Sequence, residues 1–303
     1  MKKYIASGGG NATRDPYVLL YENKYYRCFA SEGNTISLAC AESLAELAKV
    51  RGQVVYTAEP NTPWSRELWA PELHVIDGKC YIYVACDDGE NKNHRMYVLT
   101  NGSENPEIPY RMLGKLTDKT DKWAIDGTVF NYNGELYTVW SGWDGDVNIC
   151  QNLYIAKMAS PTEIATERVM ISTPEYDWEK MDCVGDGKGL PTINEGPCYY
   201  ERDGEAMLIY SASGSWANNY CLGILRLVGD DPLNPAAWEK QPFPAMSQAD
   251  GYNGPGHCSV FCDGKDDYIA YHVYDDGKSE GWQNVHAEVV KFEINDGKIM
   301  PKD

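Results

Sequence analysis

A strand, a tight turn and two further strands recur five times along the 303 residues, and no other feature narrows the possible folds so sharply. The turns fall at Glu22-Asn23-Lys24, Asp77-Gly78-Lys79, Asn133-Gly134-Glu135, Asp203-Gly204-Glu205 and Asp263-Gly264-Lys265, about 55 to 70 residues apart. Asn-Gly and Asp-Gly reach the positive φ angles of two-residue hairpins without the strain other residues meet. An aromatic and β-branched strand follows each turn, at Tyr25–Phe29, Tyr81–Ala85, Leu136–Trp140, Ala206–Tyr210 and Tyr268–His272. A third strand is expected over Thr35–Ala39, Arg95–Leu99, Asn152–Ala156, Tyr220–Leu225 and Val285–Val290. Helical spacing is confined to the stretch from Ser43 to Val50.

Five such units predict an all-β chain, a five-bladed β-propeller of four-stranded blades forming a single domain over residues 1–303. A β-sandwich with a second domain is the alternative arrangement of the same strands. With 45 acidic against 27 basic residues and a net charge of −18, the surface repels phosphate backbones and anionic lipid. Neither nucleic acid nor a membrane is expected as a partner. No run reaches the roughly 18 apolar residues a membrane helix needs, and the opening Met1-Lys2-Lys3 lacks an apolar signal core. These features lead to the expectation of a cytoplasmic protein. Most of the ten cysteines lie in apolar strands without framework spacing, which predicts buried thiols. Rings are mostly Tyr (22) and Trp (9) rather than Phe (5), a composition that suits faces stacking on sugar as well as ordinary strand packing.

Reading back from each turn reaches an ionisable residue at the start of the preceding strand: Asp15, Glu72, Asp126, Glu195 and His257. In a radial array the first strands converge, so four carboxyls and an imidazole would crowd one axis and push some carboxyl pKa values up. Such crowding serves stability poorly. It suits cleavage of a glycosidic bond, where one carboxyl acts protonated and another ionised.

The chain resembles glycoside hydrolase family 43, most closely its exo-acting 1,5-α-L-arabinofuranosidases. The resemblance rests on Arg14-Asp15-Pro16, Leu68-Trp69-Ala70-Pro71-Glu72-Leu73-His74, Trp123-Ala124-Ile125-Asp126-Gly127-Thr128, Ser141-Gly142-Trp143, Asn194-Glu195-Gly196-Pro197, Tyr210-Ser211-Ala212-Ser213-Gly214-Ser215-Trp216 and Gly254-Pro255-Gly256-His257 in this order. It implies an inverting hydrolase with Asp15 as general base, Glu195 as general acid and Asp126 as the carboxylate that orients Glu195. The base and acid carboxyls would stand roughly 6.5 to 9.5 Å apart. It further implies sugar contacts from Trp69 and Glu72, and a histidine, His257, that helps hold a hydrated calcium or other ion on the axis. No cofactor is required for the chemistry.

Arabino-oligosaccharide is the implied substrate. A β-xylosidase or an arabinoxylan-debranching enzyme would use the same scaffold, and a non-catalytic sugar-binding propeller would keep the aromatic faces alone. Trp143 and Trp216 sit on or near loops after strands, where subsite and packing roles are equally open. His272 reads as an interior histidine satisfied by a neighbour. Asp87-Asp88-Gly89-Glu90-Asn91 reads as a solvated hairpin tip, and Gly185-Asp186-Gly187-Lys188-Gly189 as part of a fourth-unit loop.

Overall fold

In a computed structural model the described residues are 4–6, 13–183, 190–275 and 284–302, and nearly every element among them is a β-strand. The glycine-rich segment 185–189 lies outside them. The first unit is the antiparallel sheet Tyr17–Tyr21, Lys24–Ser31, Thr35–Ala41 and Gln53–Thr57. The second comprises Arg66–Ile76, Lys79–Asp87, Arg95–Thr100 and Arg111–Lys115. The third, Ala124–Tyr132, Glu135–Gly142, Cys150–Ser160 and Val169–Ser172, joins the fourth by a short parallel pairing, Cys150 with Thr192 and Gln151 with Ile193. The fourth is Thr192–Arg202, Glu205–Ala212, Cys221–Leu227 and Trp238–Lys240. In the fifth, Gly256–Cys262, Asp267–Tyr274 and Val285–Asn295 are completed from the other end of the chain, because Tyr4–Ala6 pairs antiparallel with residues 287–289.

The hairpin signals hold for four turns, where residues 22–23, 77–78, 133–134 and 203–204 all have positive φ and the flanking residues pair directly. The fifth turn differs. Cys262 pairs with Asp267 across a four-residue loop, which Asp263 caps through the backbone N–H groups of Lys265 and Asp266. The one α-helix among the described residues, Leu44–Leu47, is capped by Ser43, whose Oγ accepts the Glu46 N–H.

Burial explains why the second strands read as continuous apolar runs rather than alternating ones. In Lys79–Asp87, Ile82 and Val84 pack with Tyr26, Ile36 and Leu38 of the first unit, while Tyr81, Tyr83 and Ala85 pack with Val129 and Trp140 of the third. Each sheet is covered on both faces, so both sides of its strands are apolar. The same sharing joins the third unit to the fourth, the fourth to the fifth, and the fifth back to the first through Val18, Ala39, Phe261 and Ala270.

The register at the head of each first strand places the functional side chains. Regular pairing begins at Tyr17, Glu72, Thr128, Cys198 and Ser259. Two residues earlier, Asp15, Ala70, Asp126, Gly196 and His257 all have positive φ, between 44° and 56°. One residue earlier again stand Arg14, Trp69, Ile125, Glu195 and Gly256. Three successive tiers result. The expectation that all five ionisable residues share one position is corrected: Asp15, Asp126 and His257 do, Glu195 is one residue shallower, and Glu72 is two residues deeper.

Candidate active site

A cavity of about 500 Å³ opens where the two upper tiers meet. Arg14, Trp69, Ile125 and Glu195 of the first tier and Asp15, Ala70, Asp126 and His257 of the second line it, together with Trp123 and Trp216. No third-tier residue does.

Asp126 and Glu195 are both buried, at 7 % and 8 % exposure. Loss of water raises the Glu195 carboxyl to about 7, with the Asp15 charge adding to the rise and a hydrogen bond from the Tyr220 hydroxyl (2.8 Å to Oε1) and Arg14 opposing it. Burial, then Glu195 and Asp15, push Asp126 well above the ordinary carboxylate range, although Oδ2 accepts the Gly196 N–H at 3.1 Å. Asp15 goes the other way. Burial pulls its carboxyl up, but His257 and then Arg14 outweigh that and hold it below the usual value. His257 Nδ1 lies 3.2 Å from Asp15 Oδ1 and 3.8 Å from Asp126 Oδ2.

Small residues make this crowding possible. A Cβ on Gly196, at φ +52°, would come within 3.1 Å of the His257 ring. On Gly256 it would sit 1.9 Å from the Tyr220 ring, so the missing side chain in the fifth unit leaves the space through which Tyr220 reaches Glu195.

The sugar-contact expectations divide. Trp69 and Trp216 face the cavity, the second with its Nε1–H donated to the Asp182 carbonyl at 2.9 Å. Glu72 and Trp143 lie behind the wall. Glu72 is buried and bonded to His74 Nε2 at 2.8 Å, and Trp143 is buried with its ring stacked 4.6 Å behind Trp123. A resident ion near His257 would find few protein ligands: its Nδ1 faces two carboxylates, and among the described residues no group of three or more His, Cys, Asp or Glu has metal-holding geometry.

Two contributors escape sequence reading. Arg14, 5 % exposed, donates from Nη2 to the Ser215 carbonyl and acts electrostatically on Asp15 and Glu195. Tyr220 precedes the strand Cys221–Leu227, and only its contact with Glu195 marks it. His272, buried as expected, has the Asp15 backbone N–H as its satisfying neighbour, donated to Nδ1 at 3.2 Å. Burial and Arg14 lower its pKa to about 3, so the ring is neutral. The hairpin-tip reading of residues 87–91 fails at Asp87, which is 1 % exposed and lies 3.0 Å from His94 Nδ1.

Carboxyls of opposed proton affinity in one cavity, walled by tryptophan, form the kind of site with which glycoside hydrolases work. The model of the glycosyl hydrolases of family 43 matches residues 10–299, and the chain belongs to that family.

A solved α-L-arabinofuranosidase from Lactobacillus brevis is similar at 33 % identity and a TM-score of 0.83, covering 96 % of this chain and 95 % of that one. The extracellular exo-α-(1→5)-L-arabinofuranosidase of Streptomyces avermitilis is 35 % identical over 267 residues, 85 % of this chain and 54 % of its own. The enzyme of the same name from Streptomyces chartreusis is 32 % identical over 256 residues, 82 % and 75 %. The chain thus spans about half the length of the Streptomyces avermitilis relative. Both Streptomyces relatives are named extracellular, which overturns the expectation of a cytoplasmic protein. Among the described residues no helix is long and apolar enough to cross a membrane.

Proposed function

We propose that this chain is an inverting exo-α-L-arabinofuranosidase that removes terminal arabinofuranose from α-1,5-linked arabino-oligosaccharides, on a single five-bladed β-propeller spanning residues 1–303. Five four-stranded units and apolar seams running from the fifth back to the first support the propeller. The observation that carries the chemistry is the divergence between Asp15, held low, and Glu195, raised to about 7.

In this reading water enters on the Asp15 side. Ionised Asp15 takes one proton as the water oxygen bonds to the anomeric carbon, while protonated Glu195 gives its proton to the departing glycosidic oxygen. The carbon inverts in that one displacement, and the two carboxyls return to their starting states by exchange with solvent. Asp126, whose Oδ2 accepts the Gly196 N–H beside the acid, is the third carboxyl and orients Glu195, while burial and the Asp15 charge keep Glu195 protonated. Trp69 and Trp216 give the sugar its apolar faces, with Trp143 supporting Trp123 from behind. An ion near His257 would be held mainly by water, and no step passes through it.

The similarity to arabinofuranosidases supports the choice of sugar. Timed product analysis with linear α-1,5-arabinotriose is expected to give arabinose and arabinobiose first, then arabinose alone. Release of xylose from the xylose-linked analogue in preference would refute the sugar assignment.

A further inference from the structure

Trp69 lines the cavity, and its ring is stacked on the imidazole of His94 at 4.0 Å and 27°. Its own strand does little to fix it. Pairing shifts register on both sides, between Arg66 and Trp69 and between Trp69 and Glu72, and Glu67 and Ala70 both have positive φ. Anchors come from outside the ladder. His94 Nε2 bonds to the Glu67 carbonyl at 3.1 Å, and Glu67 Oε2 accepts the Trp69 Nε1–H at 3.1 Å.

His94 is fully buried, and its Nδ1 lies 3.0 Å from Oδ2 of the equally buried Asp87, within ion-pair distance though outside hydrogen-bond alignment. A carbonyl only accepts, so Nε2 carries a hydrogen. Without a second hydrogen between Nδ1 and Asp87, a ring lone pair would face a carboxylate oxygen with no water to screen it. Asp87 is fixed in turn by the Gly89 N–H on Oδ1 at 2.8 Å.

We propose that the buried Asp87–His94 pair positions the Trp69 face and thereby sets how tightly the cavity holds sugar. This rests on the sugar-cleaving reading above. Neither residue touches the cavity, and the pair acts on binding rather than on proton transfer.

Steady-state kinetics on arabinotriose with His94→Ala, Asp87→Ala and Asp87→Asn test it. His94→Ala is expected to raise KM roughly ten-fold, with kcat within about three-fold of wild type. Asp87→Ala should raise KM less, and Asp87→Asn, whose amide supplies a hydrogen to Nδ1 and keeps an acceptor for Gly89, should restore it. Unchanged KM in folded His94→Ala overturns the proposal, as does an equal KM for the two Asp87 variants. Should His94→Ala fail to fold, the Asp87 pair decides by itself. Wild-type turnover with unmoved KM in the variants sinks this inference alone. Absence of arabinose release by the wild type sinks the functional reading, and this inference with it.

Discussion

Asp15 and Glu195 are carboxyls on the wall of one cavity, one tier apart, yet their proton affinities move in opposite directions. The difference lies in what surrounds them. The seam between the first and fifth units brings two imidazoles to Asp15, beside its chain neighbour Arg14, and the Asp15 side chain keeps 31 % of its exposure. In the fourth unit Glu195 is buried, and the Asp15 charge reaches it from the first unit, eased by the Tyr220 hydroxyl and Arg14. Position in the fold, more than residue type, separates a carboxyl that gives up its proton readily from one that keeps it.

The largest effects should come from removing either side of that contrast. Glu195→Gln is expected to lower kcat/KM on arabinotriose by roughly a thousand-fold, and much less on an aryl arabinofuranoside whose leaving group needs no proton. Asp15→Asn should lose a comparable factor on both substrates while still binding arabinotriose by calorimetry. Equal behaviour of the two variants across the two substrates would erase the assigned distinction.

Gly256→Ala is next in size. Its methyl group would occupy the Tyr220 ring, and overpacking of this kind costs about 1–3 kcal/mol. A melting temperature lower by several degrees is expected, and an unchanged one would show that Tyr220 yields freely.

The smallest and most specific change is Tyr220→Phe. The Tyr220 hydroxyl donates to Glu195 and so favours the charged form. Its removal raises the Glu195 pKa, and because the proposed mechanism uses Glu195 protonated, the alkaline limb of kcat/KM should move to higher pH by less than about a unit. In the wild type that limb is expected near pH 7, the value to which Glu195 is raised. Movement toward lower pH would contradict the direction of the hydrogen bond.

Much of the fold is legible along the chain because its signals are local. Asn-Gly and Asp-Gly turns and strand-forming runs each need only a few adjacent residues, and they locate all five second strands. Asp15, Asp126, Glu195 and His257 are legible for the same reason, since each precedes its turn at a countable distance. Counting fails by one or two residues at Glu195 and Glu72, because the bulge that turns a side chain toward or away from the cavity is a property of strand pairing.

What the sequence by itself determined is the repeat, the strand content and the acids at the strand heads, all set by short-range backbone preference and order. The tertiary structure alone decided which carboxyl is raised in proton affinity and which tryptophans line the cavity. Tyr220 reaches Glu195 across 25 residues, Arg14 reaches Ser215 across 201, and Asp15 meets His272 across 257. Such contacts leave no mark in local spacing, and a carboxyl's affinity for its proton depends on the water and charge that only the folded seams bring or remove.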